Sequence, residues 1–239
     1  MGNGLLICQS SRGDSIMEIK NLGLIPYGDC LGIMDFYHSE VVKSPNHPGL
    51  ILVVQHPPTV TMGKRELLQD MLVSSEQLKT KGVDFFKIDR GGSVTVHEPG
   101  QLVIYPIFNL GKYKQTVRSY VNLLEDAMIE ISAKYQVTAT RSEVNPGVWC
   151  GHNKIGALGI RILNKVTKHG IAYNINNSLE TFKHIVPCGL RNSGVTSLLA
   201  EVKAHTAKDE NLQFNIDFDD VSFQLSGYIK DKLLLTINS

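Results

Sequence analysis

Residues 155–175 read Ile155-Gly156-Ala157-Leu158-Gly159-Ile160-Arg161-Ile162-Leu163-Asn164-Lys165-Val166-Thr167-Lys168-His169-Gly170-Ile171-Ala172-Tyr173-Asn174-Ile175, and this stretch decides the fold class. Two runs rich in branched residues, 155–163 and 166–175, flank Asn164-Lys165, which is placed to turn a hairpin. Residues 147–150, just upstream, read as a further short strand. Strands that follow one another without a helix between them are not βαβ alternation. They favour an α+β fold: a mixed or antiparallel sheet covered mainly on one side by helices.

Outward from this hairpin, the clearest helix spans 116–135, where Val117, Tyr120, Val121, Leu124, Met128 and Ile131 recur at helical spacing. Residues 50–55, Leu-Ile-Leu-Val-Val-Gln, form a short apolar run closed by Pro57 and Pro58, as a buried strand would be. Ser74 with Gln77 makes a capping box ahead of a short helix over 75–81 that stops at Gly82. Strands are expected at 83–88 and 101–107, and an amphipathic helix at 218–234. No Pro/Gly/Ser-rich linker, repeat or low-complexity segment interrupts the chain, so residues 17–239 are expected to form one catalytic domain behind a loose extension, 1–16.

The 239 residues carry a net charge of +1, with 42% hydrophobic and 20% charged residues. That balance suits a soluble globular core and lacks the basic excess that nucleic-acid or anionic-membrane binding requires. Cys8, Cys30, Cys150 and Cys188 are far apart and form no CxxC pair, which argues against a zinc site or a disulfide framework and for reduced thiols. No apolar run approaches the roughly 18–20 residues of a membrane span, and the apolar stretch near the start is too short for a signal sequence. Met1-Gly2 is not followed by the Ser or Thr of an acylation start, since Leu6 stands there. A cytoplasmic protein is expected.

Three segments carry candidate chemistry. Residues 90–97, Arg90-Gly91-Gly92-Ser93-Val94-Thr95-Val96-His97, form a glycine-dense stretch whose missing side chains let a ligand approach backbone. On its own this is equally an ordinary connector; it is neither a dinucleotide fingerprint nor a phosphate loop. Lys154 enters a strand of small and apolar residues, a costly placement unless it has a partner or a task, although a strand-edge lysine that snorkels to water would look the same. Cys188 lies between Pro187 and Gly189. A thiol whose free pKa is about 8.5 attacks only as thiolate and needs a neighbouring cation, which Lys154 would supply; the alternative is an inert small hydrophobe.

Taken together and in order, RGGxxTxHxPGQLVxYP at 90–106, PGVW at 146–149, KIGALG at 154–159, HGIAYN at 169–174 and PCG at 187–189 resemble the lipoyl(octanoyl) transferases. The resemblance implies the fold of biotin and lipoate protein ligases. It implies that Cys188 accepts an octanoyl group from octanoyl-acyl carrier protein as a thioester, with Lys154 lowering its pKa. Arg90 to His97, with Ala157, Leu158 and Gly159 and with Gly170, Ile171 and Ala172, would line the acyl site. The acceptors it implies are lysines of the lipoyl domains of 2-oxoacid dehydrogenase complexes and of the glycine cleavage H protein, with no cofactor, metal, nucleic acid or membrane involved.

Two residues depart from the family pattern. Val96 stands where a bulkier residue is usual and is expected to reshape the acyl site. Glu98 stands where glycine is usual and is expected to favour protonated His97. Lys64, Arg65 or Arg90 would meet the acidic carrier protein, while His56, His169 and His184 are expected to be structural or supporting. Two alternatives stay open: an ATP- and Mg²⁺-dependent lipoate-protein ligase of the same fold, which does not need Cys188, and a carrier-protein binder without turnover.

Overall fold

The Asn164-Lys165 hairpin forms as expected, with both residues in the left-handed region (φ 53° and 64°), the conformation of a two-residue type I′ turn. It joins β9 (Asn153–Leu163) to β10 (Val166–Asn174), which pair antiparallel from Leu163–Val166 through Gly156–Tyr173. The structure is a computed structural model and describes residues 16–142, 145–186, 193–207 and 214–238. The expected extension and Cys188 both fall outside the described residues, apart from Ile16.

In chain order the remaining strands are β1 (Glu18–Leu24), β2 (Leu50–Gln55), β3 (Thr59–Met62), β4 (Asp84–Lys87), β5 (Val94–His97), β6 (Gln101–Ile107), β7 (Thr140–Arg141), β8 (Val148–Cys150) and, after the hairpin, β11 (Gly194–Val195). The helices are α1 (Tyr27–Lys43), α2 (Ser75–Thr80), α3 (Val117–Lys134), α4 (Leu198–Thr206) and α5 (Phe218–Asn238). A large sheet runs β1-β2-β6-β10-β9-β8-β7, with β11 parallel to the start of β9; β1 and β2 are also parallel, and the other pairs are antiparallel. A small sheet, β4-β3-β5, stands apart from it.

The helices cover both faces of the large sheet, which corrects the expectation of one. Cys30, Met34 and Val41 of α1 pack on Leu50, Leu52 and Val54, while α3 and α5 pack on Ile51 and Val53 of the same strand. Five consecutive apolar, buried positions, Leu50 to Val54, mark a strand covered on both sides, so β2 already carried the signal. The α1 stripe was missed because its inward positions, Tyr27, Cys30, Met34, His38 and Val41, mix polar and sulfur side chains with apolar ones.

Helix α3 is capped at Thr116 by a reciprocal pair of bonds with Ser119, and Tyr120, Leu124, Met128 and Ile131 face the core. Val117, counted in the stripe, is exposed. The capping box at Ser74 and Gln77 forms, and Gly82 follows with φ 70°. Gly170 permits the closest strand approach: a Cβ there would lie 2.1 Å from the Ile104 carbonyl oxygen on β6. The segment 90–97 is a loop only at its start, because Val94–His97 forms β5, and Val94 and Val96 join Val60, Met62, Leu78 and Phe182 in a separate small core.

Candidate active site

Between the two sheets lies a cavity of about 430 Å³, within the roughly 300–1,000 Å³ usual for small-molecule sites. Its walls are Arg90, Gly91, Gly92, Ser93, Val94, Thr95 and His97 from the small-sheet side, and Lys154, Ala157, Leu158 and Gly159 from β9. Gly170, Ile171 and Ala172 of β10 complete them. The structure thus brings together every expected acyl-site residue among those described except Val96. Val96 is fully buried in the small core because strand alternation turns it away from the neighbours Thr95 and His97; it does not shape the cavity wall.

The 90–92 loop is laid across β9. The Gly91 N–H donates to the Ile160 carbonyl at 3.0 Å, and a Cβ at Gly159 would stand 3.0 Å from Arg90 Cδ and 3.2 Å from the Gly91 carbonyl oxygen, so any larger residue would press on the loop where it crosses. Arg90 is buried, and its guanidinium donates to Thr61 O at 2.7 Å, to Thr61 Oγ1 at 2.9 Å and to Gly91 O at 2.9 Å. Its role is to hold the loop on β3, and it is not placed on the surface to meet a carrier protein. Lys64 and Arg65 are exposed, and Arg65 reaches the cavity rim.

Lys154 is 5% exposed. Its Nζ donates to the Pro146 carbonyl at 3.0 Å and lies 4.8 Å from the centre of the Trp149 ring, so the cation is held by a carbonyl and a π face. Gly147 makes room for it: its φ is 122°, and a Cβ would stand 3.3 Å from Lys154 Cε. The Gly147 N–H donates to buried Glu125 at 2.8 Å, and Glu125 pairs with Arg141 at 3.1 Å. Glu125 carries no motif signal and was not anticipated.

The described chain on either side of Cys188 runs past these groups. Before it, the Val186 N–H donates to the Asp70 carbonyl at 2.7 Å, and the buried Asp70 carboxylate accepts from Ser93 Oγ at 2.7 Å. After it, Val195 is the sheet partner of Lys154, and the Thr196 N–H donates to the Lys154 carbonyl at 3.0 Å. Cys30 and Cys150 are buried, which pushes both thiols up to about 12; neither is a nucleophile at neutral pH.

His97 donates from Nδ1 to Gln101 Oε1 at 2.9 Å and stacks on Tyr27 at 5.6 Å between ring centres. Burial, reinforced by neighbouring His56, holds its pKa well below the usual histidine value. Glu98 does not pair with it. Its buried carboxylate accepts from Asn177 Nδ2 at 2.9 Å and from the N–H groups of Leu179 at 2.6 Å and Thr181 at 3.2 Å. Glu98 lies just past the end of β5, where the chain turns, and its carboxylate is taken up by the 177–181 segment, so the expected protonated pair is replaced by a neutral ring and a separate loop anchor.

His56 is structural, with Nδ1–H donating to Ile25 O at 2.9 Å and Nε2 at 3.0 Å from the Tyr105 hydroxyl. His169 lines the cavity and donates from Nε2 to Asp89 at 2.8 Å. That bond, with nearby Lys168, keeps the Asp89 carboxyl below its usual range. Tyr27, Tyr105 and Ile160 also line the cavity; they were missed because nothing local marks an aromatic or isoleucine as a wall. Among the described residues, no group of three or more His, Cys, Asp and Glu side chains is placed to hold a metal ion, and no helix is long and apolar enough to cross a membrane.

Residues 26–221 match the model of the lipoyl protein ligase A/B catalytic domain. An octanoyltransferase of Caldicellulosiruptor saccharolyticus is 39% identical over 214 residues, 89% of this chain and 86% of the relative. A mitochondrial octanoyl-acyl-carrier-protein:protein N-octanoyltransferase of Danio rerio is 40% identical over 195 residues, 81% of this chain and 86% of the relative. Among solved structures, a putative lipoate protein ligase of T. acidophilum with bound lipoic acid superposes with a TM-score of 0.68 at 13% identity, covering 92% of this chain and 86% of that one. At that identity the likeness concerns the fold, and it is the expected one, an α+β domain of the biotin and lipoate protein ligase type. By the family model and by relatives that match most of its length, the chain belongs to the lipoyl protein ligase A/B catalytic-domain family and, within it, to the octanoyltransferases.

Proposed function

We propose that this octanoyltransferase works through a cysteine thioester: Cys188 takes the octanoyl group from octanoyl-acyl carrier protein, and a lysine of a lipoyl domain then takes it from Cys188. The acceptors are the lipoyl domains of 2-oxoacid dehydrogenase complexes and the glycine cleavage H protein. The donor thioester is exchanged for an enzyme thioester with release of the carrier thiol, and the lysine amine then expels the Cys188 sulfur to leave an amide. The first step trades one thioester for another and the second turns a thioester into a more stable amide, so neither requires ATP.

The observation that carries this reading is Lys154. It is a buried cation on the cavity wall, fixed by Pro146 and Trp149, and its own strand pairs with the chain that follows the Cys188 segment. A cation so placed favours the thiolate over the thiol. The two buried cysteines with raised pKa values support the choice of Cys188. Arg90 to His97, with Ala157 to Gly159 and Gly170 to Ala172, serve the octanoyl chain and its carbonyl, save Val96, which backs the wall from the small core. Residues 17–239 act as one acyltransferase domain behind the 1–16 extension, in the cytoplasm.

Intact-protein mass after mixing with octanoyl-acyl carrier protein tests the proposal. One octanoyl adduct is expected on the native chain and none on Cys188→Ala. ATP-dependent modification of a lipoyl domain by both proteins, without an adduct, would establish the ligase instead. Reversible complexation alone would establish a binder.

A further inference from the structure

Deepening the transferase reading and resting on it, we propose that His97 Nε2 takes the proton that the acceptor lysine's amine loses as it attacks the octanoyl thioester. We further propose that Gln101 is the positioning residue that keeps this nitrogen unprotonated.

The argument starts at Gln101, a side chain 1% exposed. Its Nε2 donates to the Val96 carbonyl and to Asn174 Oδ1, each at 3.0 Å. Asn174 is itself oriented, because its Nδ2 donates to the Thr196 carbonyl at 2.9 Å while its Oδ1 also accepts from Asn177 at 3.2 Å. With both donors engaged by acceptors, the Gln101 amide has one orientation, and the atom it presents to His97 is Oε1. An amide oxygen only accepts, so the hydrogen of the 2.9 Å contact sits on His97 Nδ1. A neutral imidazole carries one N–H; Nε2 therefore holds a lone pair on a ring that lines the cavity.

Burial keeps that ring neutral. The other basic groups of the cavity wall are committed elsewhere. Lys154 Nζ donates to Pro146 O. His169 gives its N–H to Asp89, and its Nδ1 is enclosed without a partner. His56, one ring away, uses Nδ1–H on Ile25 O and its Nε2 on the Tyr105 hydroxyl.

The second half-reaction needs such an acceptor. A lysine ammonium has no lone pair, so it first loses one proton to water. The resulting amine forms the N–C bond, the C–S bond to Cys188 breaks, and the nitrogen sheds a second proton. That proton passes to His97 Nε2 and from there to the departing sulfur, leaving an amide, a free thiol and a neutral ring. The low proton affinity imposed by burial favours release to the thiolate.

Two measurements test this on the full chain. In protein labelled with ¹⁵N-histidine, the nitrogen shifts of His97 are expected to report protonated Nδ1 and bare Nε2; the reverse tautomer would overturn the proposal. In single-turnover experiments, acyl-enzyme formation and its aminolysis by a lipoyl domain are followed separately. His97→Gln is expected to slow aminolysis by about 100-fold or more and acylation by far less. Gln101→Leu is expected to lose the tautomer and slow aminolysis, with acylation changed far less. Equal slowing of the two half-reactions, or an unchanged tautomer in Gln101→Leu, would overturn it. Absence of an adduct on the native chain would sink the thioester reading itself, which distinguishes that failure from failure of the inference.

Discussion

His56, His97 and His169 stand buried around the cavity, and burial lowers the pKa of all three. For His56 the value falls from 6.5 to about 4. In the pH range between those values the unfolded chain binds a proton that the folded chain refuses, so stability rises with pH there and is lost as pH falls from 6.5 toward 4. The displacement of His56 corresponds to about 3 kcal/mol at most, and His97 and His169 act in the same direction. The Asp89 carboxyl, also held below its ordinary value by its bond from His169, acts in the same direction but only at pH values below this window. Urea midpoints are therefore expected to fall steadily between pH 7 and pH 5; a flat profile would show that these rings are protonated in the native state. At this scale His97 was legible in its motif, whereas its protonation state was not, because that depends on Gln101, Asn174 and Thr196 converging from three other segments.

At the scale of elements, the hairpin and the capped helices were legible because their determinants are local. Thr116 and Ser119 cap α3 within one turn, and Asn164-Lys165 occupy two consecutive left-handed positions. Lysine carries a Cβ that resists φ 64°, and glycine does not. Lys165→Gly is expected to stabilise the chain by roughly 0.5 kcal/mol after the extra freedom of the unfolded glycine is subtracted. The backbone bond from Leu110 N–H to the Lys165 carbonyl is kept in the variant. A small rise in melting temperature would bear this out, and a fall would show that the Lys165 side chain contributes more than its strain. Elements defined by distant partners were not legible. Residues 94–97 pair with β3, some 35 positions earlier in the chain, and so became a strand where a loop had been expected.

At the scale of the molecule, the cavity exists because two sheets meet along glycines. Gly159 lets the 90–92 loop cross β9, and Gly170 lets β10 close on β6. Gly170→Ala would place a methyl 2.1 Å from a backbone oxygen of a central strand, where no flexible side chain can yield. The two central strands must part, and the expected outcome is loss of folded protein or a fall in melting temperature of about ten degrees or more, which in a chain of this size corresponds to about 3–5 kcal/mol. Native-like melting of this variant would mean that the strands approach less closely than described.

The strand-rich character of 147–175, the helix at α3, the family resemblance and the glycine-rich part of the cavity wall were legible in the chain alone, because each is written in short contiguous strings, whereas Tyr27, Tyr105 and Ile160 were not. Only the tertiary structure decided which side of a strand each of those residues presents. It sent Val96 into the small core, turned Glu98 to the 177–181 loop, buried Arg90 against Thr61 and placed α1 on the second face of the sheet. These outcomes depend on partners tens of residues away. Hydrophobic burial and the need of every buried donor for an acceptor select those partners only once the whole chain is in place.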